Sequence, residues 1–485
     1  MWMCVFICVH PCPSVVLPPP MPDRPYTYYD FTLSLCPECL RRIDAKVVFE
    51  DERVYMLKRC PEHGAQKVLI ATDVEYYKRC RHYLKPGEMV RTFNTRTHYG
   101  CPYDCGICPD HEQHGCLTLI EVTDRCNLEC PICYASSGPL HGKHRTLEEV
   151  ERMLDAAVRN EGEPDVVQLS GGEPTVHPQF FEILDAAKRR PIRHLMVNTN
   201  GIRIAKDKAF VERLATYMPD FELYLQFDSF KPEVLKRLRG EDLTAVRMKA
   251  LEHLNEVNLS TTLVVTVEKG VNDDEVGAII DFALKQRCVR GVTFQPVQAA
   301  GRTGHYDPAT DRITLTEVRQ AILDQAPLFT PEDIVPVPCN PDALAMGYAL
   351  KLGGEVFPLT RMIDPDDLLN NSRNTIVYEQ DARLKEHMVK LFSTGTPSDK
   401  AHETLHRIMC CLPDIDAPEL KYENLFRIII MRFIDAYDFD VRAIKRSCVH
   451  IIDPRTLNAI PFETMNLFYR EEAQRKRLAE LQRLS

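Results

Sequence analysis

Three cysteines on one short loop constrain this chain more than any other feature. In Leu117–Ser137, LTLIEVTDRCNLECPICYASS, an apolar, β-branched run leads into Cys126, Cys130 and Cys133, spaced C-x3-C-x2-C. Soft thiolates at this spacing can hold three corners of a [4Fe–4S] cluster. The fourth iron then lacks a protein ligand and is open to a substrate or cofactor. A zinc site is the alternative. A four-thiolate zinc knuckle would need a second C-x2-C close behind, and the next cysteine after Cys133 is Cys288.

Around that loop the sequence alternates between strand-like and helical segments. From Leu117 to about Gln298 the strand-like runs are LTLIEVT, DVVQLS, HLMVNT, LYLQFD, TTLVVTV and GVTFQPV. Thr146-x-x-Glu149 is a capping box for a helix carrying Leu147, Val150, Met153, Leu154 and Ala157 on one face. Asn272-x-x-Glu275 predicts a second capped helix with Val276, Ile279, Ile280 and Ala283 inward. Six such units predict an α/β fold, a partial (β/α)6 barrel with a parallel sheet. Active sites of such sheets gather at the C-terminal strand ends. The cysteine triplet, SGGEP, NTNG, QFDS, VEKG and QPVQ all fall there.

That position selects the candidate cofactor contacts. They are Gly171, Gly172, Glu173 and Pro174 of GGEP, Asn198 and Asn200 of NTNG, and Gln226, Asp228 and Ser229 of QFDS. Gln295 is a weaker candidate, and Tyr134 packs either on a ligand or in the core. The two glycines would let the backbone approach a ligand closely. Asn at a strand end also serves ordinary turns. The sequence contains no convincing Ser/His/Asp set, phosphate loop or G-x-G-x-x-G loop, so no catalytic side chain is assigned.

The segment before the barrel is rich in cysteine. CPEC (Cys36, Cys39), a strand-like pair and CPEHG (Cys60, His63) follow the layout of a ribbon or rubredoxin-like knuckle. Cys36, Cys39 and Cys60 are the expected ligands of a mononuclear Zn or Fe. His63, Cys80 and Cys101 compete for the fourth place, and Cys80 reads best as a free buried thiol. GCPYDCGICPDHEQHGC then repeats the triplet spacing with Cys101, Cys105 and Cys108, with His111 and Cys116 nearby. An auxiliary Fe–S cluster is the expected occupant, with structural zinc as the alternative.

Beyond Gly301 the βα rhythm stops, and an α+β extension is expected. Cys339, Cys410, Cys411 and Cys448 lie there without short spacing. They either meet as another cluster or are buried small apolar residues. The run Leu425–Ile434, LFRIIIMRFI, is expected as a buried helix, with the lining of an apolar channel as the alternative. The tail from Arg470 reads as a charged amphipathic helix with a solvated face. Residues 1–25 carry Cys4, Cys8 and Cys12 at helical spacing and a PPP run that bars regular structure. They are expected to be disordered, or to precede a true start at Met21, so that residues 1–20 are dispensable. The expected organisation is thus 1–25, a metal-binding module over 26–110, the barrel over 111–300 and the extension over 301–485.

Composition bears on the partners. A net charge of −10 with no dense basic tract argues against nucleic acid. No apolar run is long enough to span a bilayer. Nineteen cysteines grouped in C-x2-C and C-x3-C units suit metal ligation in a reducing cytosol rather than disulfides.

The triplet spacing, with GGEP about 40 residues further on after another strand, resembles the radical S-adenosylmethionine (SAM) superfamily. That resemblance implies a SAM-chelating cluster on Cys126, Cys130 and Cys133, with GGEP holding the methionyl amino group. It also implies 5′-deoxyadenosyl radical chemistry fed by a reductant such as ferredoxin or flavodoxin. The module order CPEC, CPEHG, CPYDCGICPDH, CNLECPICYA, SGGEP, NTNG and closing NLFYR is similar to one family within it. This family contains the archaeal tetraether lipid synthases and pterin C-methyltransferase relatives. The likeness runs from about Tyr26 to Arg470. It implies a rubredoxin-type iron, auxiliary clusters, and either C–C coupling on lipid chains, peripheral to a membrane, or C-methylation of a small substrate such as a pterin. A scaffold built on an inactive barrel is the non-enzyme alternative. The chain departs from the archaeal pattern at Asn340–Ala343 and Glu463, where further cysteines are expected.

Overall fold

In the computed structural model, residues 24–84, 88–352, 354–361, 365 and 424–484 are described. Cys4, Cys8, Cys12, Met21, Cys410 and Cys411 lie outside them, as does the expectation about residues 1–20.

The N-terminal module is one antiparallel meander. It comprises β1 (Thr27–Leu35), β2 (Arg42–Glu50), β3 (Arg53–Cys60) and β4 (Gly64–Ala71), paired in that order. Along β3 burial alternates residue by residue, so Val54, Met56 and Cys60 face inward, as a half-buried strand requires. Helix α1 (Val74–His82) follows, capped by Asp73 through the Tyr76 N–H at 2.8 Å.

The second sheet has 12 strands and carries the barrel. Strands β5 (Leu117–Thr123), β6 (Val166–Gly171), β7 (His194–Thr199), β8 (Phe221–Gln226), β9 (Thr261–Val267) and β10 (Val289–Pro296) are consecutive parallel neighbours. The crossovers hold α2 (Leu147–Glu161), α3 (Phe180–Lys188), α4 (Ile202–Lys206), α5 (Lys208–Ala215), α6 (Pro232–Arg239), α7 (Thr244–Val257) and α8 (Val276–Lys285). The six-unit barrel is therefore present. Strands such as β5, buried at every residue, read as continuous apolar runs because helices cover one face and the barrel interior the other.

Local expectations fared unevenly. The Thr146/Glu149 capping box forms in full, with reciprocal bonds of 3.1 and 2.8 Å. The Asn272 box does not. Helix α8 starts at Val276 with no side-chain cap, although Val276, Ile279, Ile280 and Ala283 are buried as expected. Asn272 instead braces two strand ends, accepting from the Glu268 N–H and donating to the carbonyls of Asp228 and Thr266.

The extension continues the same sheet. After α9 (Leu315–Gln325) come β11 (Val335–Pro336), β12 (Leu344–Leu352) and β13 (Glu355–Pro358). Then β14 (Leu425–Met431) pairs in parallel with β10, and β15 (Val449–Ile452) in parallel with β5; β16 (Ala459–Pro461) closes the edge. The expected helix over LFRIIIMRFI is therefore corrected. Ile428, Ile429 and Ile430 stand in a strand between β10 and β12, where β-branched residues buried on both faces pack well.

The lower end of the barrel is plugged. Glu222 at the start of β8 accepts from Arg427 Nη2 of β14 at 2.9 and 3.0 Å, and lies 3.2 Å from His194 Nε2 of β7. The interior is thereby filled at the N-terminal strand ends, leaving the C-terminal ends for a ligand. Helix Glu472–Leu484 is not merely solvated: it buries Leu478 and Leu481 and donates from Arg477 to the Cys39 carbonyl at 2.7 Å. Among the described residues no helix is long and apolar enough to cross a membrane.

Candidate active site and metal centres

One cavity occupies the C-terminal mouth of the barrel. Cys126, Cys130 and Cys133 line it together with Gly171, Gly172, Glu173, Asn198, Asn200, Gln226 and Gln295. Tyr134 also lines it and packs against Phe462, with its hydroxyl 3.2 Å from Ser170 Oγ.

The GGEP segment packs directly on the cysteine loop. A Cβ on Gly171 would overlap the Thr123 carbonyl, and one on Gly172 the Arg125 carbonyl. The glycines thus let this segment seat directly on the cysteine loop, where Gly172 N–H donates to Thr123 at 2.8 Å and Glu173 N–H to Arg125 at 2.9 Å. The Glu173 carboxylate is buried and turned inward. It accepts from Thr175 N–H and Oγ1, from Thr199 Oγ1 and from the Asn200 N–H. Burial raises its pKa against those bonds. Glu173 therefore ties the GGEP turn to the NTNG strand end.

Three candidates lie behind the mouth, outside the cavity lining. Pro174 opens a short 3-10 turn. Ser229 Oγ is bonded to Glu275. Asp228 is fully buried in a two-point ion pair, with Arg239 Nε at 2.7 Å and Nη2 at 2.5 Å. Burial pushes the Asp228 carboxyl up, but Arg239 outweighs it and holds the group below the usual carboxylate range. Held by this pair, Arg239 lines the cavity near Cys130. The sequence reasoning missed Arg239, which stands at the end of a crossover helix with no motif around it. It also missed Arg302, which donates to the Cys130 carbonyl at 2.5 Å and to the Ser137 carbonyl at 2.8 Å.

The cysteine loop suits a cluster. Cys126 Sγ receives the Leu128 N–H at 3.4 Å and the Asn200 amide at 3.9 Å, donors that favour a thiolate. In the metal-free loop burial, followed by the nearby Glu173 carboxylate, outweighs the Leu128 donor and pushes the Cys126 thiol up to about 12. Coordination removes that penalty by deprotonating the sulfur.

The ribbon cysteines converge more tightly. Ligand atoms of Cys36, Cys39, Cys60 and His63 all lie within 4.8 Å of one another. His63 Nδ1 is 3.4 Å from the sulfurs of both Cys36 and Cys60, and Cys39 is 3.8 Å from Cys60. A tetrahedral ion with Zn–S bonds of about 2.3 Å places its sulfurs about 3.8 Å apart, so the four residues fit one ion. Of the competing fourth ligands, Cys80 lies apart in the barrel core and Cys101 beside Cys105. In the second triplet, Cys105 accepts from Thr464 Oγ1 at 2.9 Å and Cys108 lies by Thr97. His111 turns away, to the Ser447 carbonyl and His450.

With this geometry in place, comparison with known proteins is informative. Residues 120–283 match the radical SAM superfamily, and residues 28–72 match the HMPTM N-terminal zinc ribbon domain. The chain is 33% identical to the 7,8-dihydro-6-hydroxymethylpterin dimethyltransferase of Methanocaldococcus jannaschii, over 92% of this chain and 95% of that protein. This chain is a radical SAM enzyme of that family. It is also 34% identical to a probable GTP 3′,8-cyclase of Thermococcus kodakarensis, over 34% of this chain and 52% of that one. Among solved structures, SuiB of Streptococcus suis bound to S-adenosylmethionine aligns over 44% of this chain and 47% of its own at 19% identity, with a TM-score of 0.37.

Proposed function

We propose that this radical SAM enzyme C-methylates a flat, heteroatom-rich small molecule of the reduced pterin class rather than joining lipid chains. The observation that carries the reading is a set of unspent polar atoms in the cavity wall. Ser137 Oγ, Gln168 Nε2, Asn198 Oδ1 and Gln226 Oε1 are buried and have no hydrogen-bond partner among the described residues. Each buried orphan costs about 1–3 kcal/mol. SAM and a heterocycle with ring nitrogens and carbonyls would satisfy them; an alkyl chain would not. The same cavity is lined by Phe433, stacked on Phe462 at 4.0 Å, and by Tyr134, aromatic faces on which a flat ring can lie. The name of the M. jannaschii relative points the same way.

In this reading Cys126, Cys130 and Cys133 hold the SAM cluster. Gly171–Glu173, Asn198, Asn200 and Gln226 border SAM, and Gln168, Gln295 and Ser137 meet the substrate. When bound, cluster and SAM would supply a 5′-deoxyadenosyl radical for hydrogen abstraction from carbon, and the methyl carbon would come from a separate one-carbon donor, either a further SAM or a reduced methylene carrier. Cys101, Cys105 and Cys108 hold an auxiliary Fe–S cluster, and Cys36, Cys39, Cys60 and His63 hold one Zn or Fe. An external one-electron donor such as ferredoxin or flavodoxin supplies the electron.

The test is direct. Reconstituted enzyme with dithionite, excess SAM and, in a parallel reaction, a reduced methylene carrier as one-carbon donor is offered either 7,8-dihydro-6-hydroxymethylpterin or archaeal-type lipid. Methylated pterin and 5′-deoxyadenosine are expected, with KM raised about tenfold in Gln168→Leu, equivalent to about 1.4 kcal/mol. Turnover of the lipid with the pterin inert would reject the assignment.

A further inference from the structure

The structure assembles a cysteine site that neither triplet nor ribbon contains. Cys116 stands just before β5, Cys339 just after β11 and Cys448 just before β15. Their sulfurs all lie within 4.8 Å of one another and all three residues are buried. Cys339 Sγ and Cys448 Sγ are 3.4 Å apart although 109 residues separate them. The backbone fixes two of the three, because β5 and β15 are parallel neighbours and Leu117 N–H donates to the Cys448 carbonyl at 3.0 Å. Asn340 anchors the third by donating to the Ala443 carbonyl at 3.3 Å.

We propose that Cys116, Cys339 and Cys448 bind a single zinc or ferrous ion, with His114, which stands beside Cys116 but not within the same 4.8 Å of all three sulfurs, turning in as the fourth donor.

Sulfur spacing separates one ion from a cluster. Thiolates on one tetrahedral ion stand about 3.8 Å apart, whereas in a cluster each thiolate sits on its own iron and the sulfurs spread further. The ribbon quartet shows the tight spacing, with Cys39 and Cys60 at 3.8 Å. In this trio two sulfurs stand 3.4 Å apart and the third lies within 4.8 Å of both. Cys126, Cys130 and Cys133, and likewise Cys101, Cys105 and Cys108, do not converge to within the same 4.8 Å.

The surroundings of His114 point to a ligand independently. Its Nε2 lies between Cys116 Sγ at 3.5 Å and Asp165 Oδ2 at 4.0 Å, while its Nδ1 lies 3.4 Å from Glu161 Oε2. A carboxylate on one imidazole nitrogen fixes the tautomer that presents the other nitrogen's lone pair, the usual backing of a metal-bound histidine. Glu161 is itself held by the Gly115 N–H at 2.9 Å. Buried thiols alone can be simple core residues, but that role does not call for three sulfurs at ligand spacing beside a carboxylate-backed imidazole. The bound ion would staple the first barrel strand to two segments of the extension. It would sit at the opposite end of β5 from the SAM cluster, which marks it as structural.

The test uses full-length protein purified anaerobically without added iron, with zinc, iron and acid-labile sulfide counted per chain. Cys339→Ser/Cys448→Ser should lose about one metal ion and no sulfide. Loss of about four irons with about four sulfides, or no change in metal, would each overturn the proposal. If that variant does not fold, Cys36→Ser/Cys39→Ser answers instead: with the ribbon site removed, about one sulfide-free zinc or iron must remain per chain, and its absence would refute the site. Cobalt(II) loaded into this background should show tetrahedral thiolate bands. They should shift in His114→Cys; an unchanged spectrum would remove His114 from the ligand set.

Discussion

Asp228 and Arg239 face each other in a fully enclosed two-point ion pair, 2.5 and 2.7 Å across, directly behind the cysteine loop. The pair aims the guanidinium at Cys130. Asp228 thus acts at one remove, as a positioning residue. Asp228→Asn removes the charge that fixes Arg239, leaving it the Thr266 Oγ1 bond at 2.8 Å, and is expected to weaken SAM binding about tenfold, equivalent to about 1.4 kcal/mol. Iron content should stay near that of the parent. Equilibrium dialysis with SAM checks this; unchanged affinity would mean that the orientation of Arg239 is immaterial.

At the ribbon, geometry separates His63 from Cys80. His63 stands 3.4 Å from two of the thiols, whereas Cys80 is packed in the barrel core, where burial pushes its thiol up to about 12. His63→Ala should lower the metal retained after dialysis against a chelator, and Cys80→Ala should not. The reverse result would place the fourth ligand wrongly.

These contrasts show what kind of information a sequence holds. The Cys126, Cys130 and Cys133 motif was legible because its spacing is local and survives in one dimension, and the structure brings the three to one cavity. The same is true of the Thr146 capping box and the six βα units. LFRIIIM was misread as helical because a short apolar run fits either element; its place between β10 and β12 decided the matter. Asn272 kept the right neighbours for a cap but found stronger partners in Asp228 and Thr266. Cys116 could not be joined to Cys339 and Cys448 because only strand order brings them together. Asp228 looked like a ligand contact because strand ends carry function, and the sequence gives no sign of the arginine that occupies it.

Asp342 offers a pH test of the junction between α1 and the extension. It lies 2.6 Å from Arg81 and 2.8 Å from Arg446. Burial would raise its pKa, but the two guanidiniums outweigh this and hold it far below the carboxylate range. A carboxyl depressed in the fold contributes fully above its unfolded pKa of about 3.9 and less as pH falls through its folded value. Asp342→Asn should cost about 3–5 kcal/mol at neutral pH. The difference in melting temperature from the parent should narrow below about pH 4. A gap that stays constant on acidification would show that packing, not charge, carries the effect.

The cysteine loop is held from outside by residues 301 and 302. Gly301 has φ +61°, and a Cβ there would overlap the carbonyls of Cys133 and Tyr134. Arg302 exchanges backbone bonds with Cys133 at 2.8 and 2.9 Å and caps the Cys130 carbonyl with its guanidinium. Both residues lie where the sixth strand hands over to the extension, so loop and extension share one latch. Gly301→Ala is expected to displace the loop and lower cluster occupancy after reconstitution. Arg302→Met should do so less, because the backbone bridge survives. The triple variant Cys126→Ala, Cys130→Ala, Cys133→Ala sets the zero, with no 5′-deoxyadenosine formed. EPR of the dithionite-reduced protein ranks the four proteins, and ribbon metal counts serve as the internal control. Full cluster occupancy in Gly301→Ala would show that the loop does not depend on this latch.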